Sequence, residues 1–82
     1  MRVRWLRKAL SNVAAEAEFI AQDNPLAARQ VVQRIFDSVE QLRDNPSIGR
    51  PGRISGTREL VVAGTRYIVP YRVRGDLIEV LR

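Results

Sequence analysis

The spacing of apolar residues changes along this chain, and each change marks an element. Between Met1 and Leu6, Val3 and Trp5 alternate with Arg2 and Arg4, the two-residue period of a half-buried strand. From Arg7 onward Leu10, Val13, Ala14, Ala17, Ile20 and Ala21 recur every three or four residues, which predicts an amphipathic helix running to about Gln22. Asp23-Asn24-Pro25 reads as a stop followed by a start. Asn24 suits a helix cap, and Pro25 suits the first helical position, where its missing N–H would be unpaired anyway. Ala28, Val32, Ile35, Val39 and Leu42 then carry a second helix at spacings of four and three. Asn45-Pro46 ends it, since the residue before a proline is pushed out of the helical region. So short a connection predicts an antiparallel helix hairpin.

The loop Ser47 to Thr57 holds Gly49, Pro51, Gly52 and Gly56 and is expected to be ordered by turns. Strands are predicted at about Arg58–Val62, Arg66–Val73 and Leu77–Leu81, with turns at Gly64 and at Gly75-Asp76. The order β-α-α-β-β-β is an α+β fold, a helix hairpin packed on one face of a mostly antiparallel sheet. On the strand after Gly64, Tyr67, Val69, Tyr71 and Val73 share the face expected to meet the helices. Arg66, Ile68, Pro70, Arg72 and Arg74 share the open one. With Val3 and Trp5 inward, Arg2 and Arg4 join that open face.

Charge makes this arrangement a surface. The net charge of +5 comes from 13 arginines and Lys8 against nine acids. Arg2, Arg4, Arg7 and Lys8 open the chain with no acid among them, the helical region is acidic on balance, and residues 50–82 turn basic again. Two basic ends laid side by side imply a basic face for an anionic partner. The 82 residues make one domain with a modest core. The absence of cysteine and histidine removes disulfides, thiolate zinc sites and the commonest metal ligand, so no metal or cofactor is expected. No apolar run approaches the roughly 20 residues that cross a bilayer, and no secretory h-region opens the chain. The expectation is a cytoplasmic protein.

The loop arginines Arg50, Arg53 and Arg58 flank Gly49 and Gly52. There the guanidinium forks and exposed backbone N–H groups can clasp an anion, or the segment is a turn with solvated arginines. Arg66 and Arg72 on the sheet face enlarge the candidate set. Cleaving RNA through its own 2′-hydroxyl needs a base near neutral pH, a proton donor and cations. Arginine supplies only the last. The candidate acid–base groups are Glu59, Tyr67 and Tyr71, although the tyrosines fit core positions with a wet hydroxyl. Arg74-Gly75-Asp76 reads as a turn.

The segment DNPLAARQVVQRIFDSVEQLRDNPSIGRPGR, followed by GTRELVV and RYIVPYRV, resembles the toxins of type II toxin–antitoxin modules in the RelE/ParE superfamily, over nearly the whole chain. The resemblance implies the same β-α-α-β-β-β fold, a bacterial or plasmid-stabilising origin, growth arrest, and a cognate antitoxin that wraps an extended segment around the toxin in a hetero-oligomer. RelE-like members cut mRNA at the ribosome, whereas ParE-like members generally inhibit DNA gyrase. Where the nucleases typically read Tyr-Arg-Leu-Val-Tyr, this chain reads Tyr67-Ile68-Val69-Pro70-Tyr71, with an apolar residue in place of the catalytic arginine. It also stops at Arg82, where members usually continue, so the family's carboxyl-terminal tail is expected to be missing. The resemblance therefore favours a ParE-like, non-catalytic gyrase inhibitor using Arg50, Arg53, Arg58, Arg66 and Arg72 as its target-binding surface. The alternative is a ribosome-dependent mRNA endonuclease with Arg50, Arg53, Arg58 and Arg66 holding phosphates and Tyr71 or Glu59 in acid–base work. A plain nucleic-acid-binding module is a third reading, disfavoured by Glu16 and Glu18 on the first helix.

Overall fold

A computed structural model of the protein describes residues 1–82. The elements run β1 (Arg2–Trp5), α1 (Arg7–Ala21), α2 (Pro25–Glu40), a 3₁₀ turn (Gln41–Arg43), β2 (Arg50–Pro51), β3 (Arg58–Val61), β4 (Ile68–Arg74) and β5 (Leu77–Val80). They form one five-stranded sheet in the order β1-β5-β4-β3-β2. Only the β1–β5 pairing is parallel. The α+β class and the mostly antiparallel sheet match the expectation. The extra strand β2 escapes a pattern search because both its residues are exposed and its proline suits only a sheet edge.

Asn24 caps α2 as its place before Pro25 predicts, its Oδ1 accepting the Ala27 N–H at 3.0 Å. The core is built mainly by α2 and the sheet. Ile35, Val39 and Leu42 from the second helical segment meet Leu60, Val62, Val69, Tyr71, Ile78 and Val80. Fully burying a side chain of this size contributes about 2 kcal/mol. Trp5 and Phe36 add a tilted ring pair with centroids 4.7 Å apart, a geometry aromatic quadrupoles favour.

Three apolar positions depart from the expected pattern. On α1 the line over the core runs through Ala9, which is fully buried, and Val13, while Leu10 and Ala14 stay exposed. The small Ala9 side chain lets the helix approach the sheet, so the inward stripe is rotated by one residue. Val73 is expected inside but is exposed. Its surroundings at that end of β4 are Gly56, Thr57 and Arg58, a loop and a strand start with no helix above them. The second helix also tightens earlier than predicted, passing into the 3₁₀ turn after Glu40. Beyond that turn, Met1 and Arg43 clasp each other. The terminal ammonium donates to the Arg43 carbonyl at 3.3 Å and the Arg43 guanidinium donates to the Met1 carbonyl at 3.2 Å.

Candidate functional site

The arginines predicted to act together lie in three places. Arg58 stands opposite Tyr71 across β3 and β4, so it shares the helix-side face. Its guanidinium donates to the Gly49 carbonyl at 2.8 Å and to the Ser47 carbonyl at 3.3 Å. Tyr71 works on the same loop. Its hydroxyl, on a fully buried side chain, donates to the Pro46 carbonyl at 2.7 Å and accepts the Gly49 N–H at 2.9 Å. Arg58 and Tyr71 together staple the segment from Pro46 to Gly49 onto the sheet. With both hydroxyl bonds used inside the fold, Tyr71 presents no proton to a substrate.

Arg50 and Arg53 face elsewhere. Strand β2 places Arg50 beside Glu59, whose carboxylate accepts from the Arg50 Nε at 3.3 Å. A cation thus already holds the candidate base Glu59. These residues border a groove of about 490 Å³ that also meets Arg53, Arg82, Tyr67 and Trp5. On its far wall the Tyr67 hydroxyl donates to Glu16 Oε2 at 2.9 Å, joining β4 to α1. Burial above all, and then the Glu16 carboxylate, raises the Tyr67 pKa above its ordinary 10.0, with Arg66 nearby opposing the rise. Tyr67 is therefore a neutral hydroxyl at physiological pH and a poor base.

The groove also meets β4 at Ile68. The β4–β5 ladder runs from Arg74–Leu77 to Tyr71–Val80 and adds the Leu81 N–H to the Pro70 carbonyl at 3.0 Å. Strand alternation directs the Ile68 N–H and C=O toward that same edge of β4. Ile68 itself is exposed on the open face beside its β3 partner Val61.

Arg66 falls in the bend before β4 begins, whereas Arg72 lies within that strand. Its Nε donates to Glu79 Oε1 at 2.8 Å, and Arg74 reaches the same oxygen at 3.3 Å. Glu79 is the residue that sequence reasoning missed, a buried carboxylate on the solvent side of the sheet. Its place opposite Arg72, once the Gly75-Asp76 turn fixes the register, is the signal that identifies it. The hydrogen bond from Arg72 is the largest influence holding its carboxyl below the ordinary 4.5. Burial works against that, and Arg74 adds to it. No three metal-ligating side chains come together anywhere in the fold. What the arrangement offers is binding: a groove with an apolar floor and arginine rims, and a separate cluster of guanidiniums around Glu79.

Known proteins are similar to this chain in sequence and fold. The model of the ParE toxin of type II toxin–antitoxin systems, parDE, matches residues 3–82. A Sinorhizobium fredii (strain NBRC 101917 / NGR234) protein bearing a toxin name, Y4kP, is 46% identical over 80 residues, covering 98% of this chain and 82% of its own. Toxin RelE2 of Caulobacter vibrioides is 32% identical over 81 residues, covering 99% and 90%. Among solved structures, a chain of the chromosomal ParDE system from P. aeruginosa superposes with a TM-score of 0.89 at 32% identity, covering all of this chain and 91% of the other.

Proposed function

The chain belongs to the ParE toxin family of type II toxin–antitoxin systems, and we propose that it arrests growth by docking on its target, DNA gyrase, rather than by cutting RNA. The observation that carries this reading is the fate of the acid–base candidates. The Tyr71 hydroxyl is buried and bonded on both sides. Glu59 is held by Arg50, and Tyr67 is kept protonated. An apolar side chain, Ile68, stands between Tyr67 and Val69, where the nuclease pattern carries arginine. What remains are arginines free to bind and no group poised to take a proton near neutral pH.

A toxin of this type has an antitoxin partner, and the groove beside Ile68 has the chemistry to take its extended segment. The exposed Ile68 on β4 offers an apolar contact at its edge. Trp5 and Val13 supply an apolar floor, and Arg53 and Arg82 supply cations. An acidic, apolar strand satisfies all three.

Inducing the chain in a bacterium without its antitoxin tests the target. Growth arrest with an induced DNA-damage response and intact transcripts is the expected result. Arrest with cuts in translated mRNA would overturn it and assign the Arg53, Arg82 and Tyr67–Glu16 groove to phosphate chemistry.

A further inference from the structure

We propose that the open sheet face across β1, β5 and the second half of β4 binds the phosphate backbone of duplex nucleic acid, with Glu79 positioning its arginines. The register sets two cross-strand rows, Arg2–Leu77–Arg74 and Arg4–Glu79–Arg72. Adjacent strands lie about 4.8 Å apart and alternate residues about 7 Å apart along a strand. The four arginine Cα atoms therefore mark a rectangle of roughly 7 by 10 Å. Glu79 sits midway along one of its long sides, with a side chain only 7% exposed, while those of Arg72 and Arg74 remain 41% and 64% exposed. Each guanidinium gives one N–H to the buried carboxylate and keeps most of its fork toward solvent. One buried anion thus holds two cations flat on the sheet, a pre-ordering that lowers the entropic cost of binding a phosphate. Arg4 is exposed and has no side-chain partner. Arg2 has only a solvent-screened contact with Asp76 at 3.4 Å.

The chemistry around the rectangle selects the ligand. Leu77, half-buried, is its only apolar member, so an acidic peptide finds no seat for a side chain. The apolar pair Val61 and Ile68 lies at the opposite corner of the same face, 53% and 45% exposed. No aromatic residue belongs to either row, so the bases of a single strand have nothing to stack on. Charge without apolar anchors fits a regular phosphate backbone, read without sequence preference. This surface is separate from the antitoxin groove and does not depend on which target the toxin takes.

Fluorescence anisotropy of the full chain with a labelled random-sequence duplex tests the proposal across a range of salt. Affinity is expected to fall with a log–log slope of about −3, set by roughly 0.9 per phosphate neutralised. Changing Arg4→Gln and Arg74→Gln together should reduce that slope by about two. Glu79→Gln is the decisive variant because it makes the protein more positive. Diffuse attraction predicts tighter binding, whereas positioning predicts binding several-fold weaker with a far-ultraviolet spectrum unchanged. Equal or tighter binding by Glu79→Gln would overturn the positioning role. An unchanged slope in the exposed Arg4/Arg74 variant, which does not touch the core, would overturn the site. A single strand binding as well as the duplex, or polyglutamate competing as well as DNA at equal charge, would overturn the ligand assignment.

Discussion

Tyr71 and Gly49 fit together so closely that neither tolerates change: the Gly49 N–H donates to the Tyr71 hydroxyl at 2.9 Å, and a Cβ at Gly49 would lie 2.6 Å from that same oxygen. The first glycine of the GRPGR stretch is thus required for approach to a buried phenol, whatever its loop does for an anion. Tyr71→Phe is expected to lose about 1–3 kcal/mol of stability, because the Gly49 N–H and Pro46 carbonyl lose their partner inside the fold. Urea unfolding measures it. Amide exchange at Gly49 should quicken in the same variant.

Gly49→Ala attacks the same contact from the other side. Overpacking against a rigid ring costs about 1–3 kcal/mol. Because the two residues touch, Gly49→Ala and Tyr71→Phe combined should depart from additivity. A double-mutant cycle in urea reads the coupling directly, and strict additivity would contradict the contact.

Acid should release the Glu79 cluster. Its carboxyl is held below the ordinary 4.5, chiefly by Arg72. A lowered native pKa gives stability that is fully present above the unfolded value and lost as pH falls through the native one. The stability difference between the wild type and Glu79→Gln is therefore expected to hold from neutral pH down to about 4.5 and shrink below it. Urea midpoints at several pH values follow the change.

The antitoxin groove makes its own prediction. Replacing Arg53 and Arg82 with glutamate should weaken antitoxin binding at least tenfold at low salt and much less at high salt. Titration calorimetry at two ionic strengths separates this from a loss of fold. Binding should also raise the melting temperature of the toxin, rising with the logarithm of antitoxin concentration once it exceeds Kd.

Removing the helix cap is a local control. Asn24→Ala takes away the acceptor of the Ala27 N–H and should cost about 1 kcal/mol. It should leave growth arrest intact, since Asn24 touches neither the groove nor the basic face. A thermal melt beside the growth assay checks both halves.

The strand and helix periods made most of the fold legible, because Val3, Trp5, Ile35, Val39 and Val69 repeat at the spacing their elements demand. The resemblance carried by the helix hairpin and the YIVPYR strand reached the family. Grouping the arginines was harder. Arg50, Arg53 and Arg58 are neighbours in sequence, yet β3 turns Arg58 to the helix side while β2 keeps Arg50 on the open face. Strand parity inside a glycine-rich loop has no period to announce it. Glu79 was hidden for a related reason. A lone carboxylate among apolar residues acquires a role only when the register sets Arg72 beside it.

The parallel pairing of β1 with β5 also constrains how the toxin comes into being. β1 is seated against β5, distant in sequence, and β5 lies between β1 and β4 in the sheet. During synthesis β1 waits, bare on both edges, until β5 has emerged. Pairings so distant in sequence form slowly and leave a partly built sheet open to other chains. The paired arginine face likewise exists only after that closure, since Arg4 and Arg72 face each other only across β5. The emergence of β5 therefore sets when that face is complete.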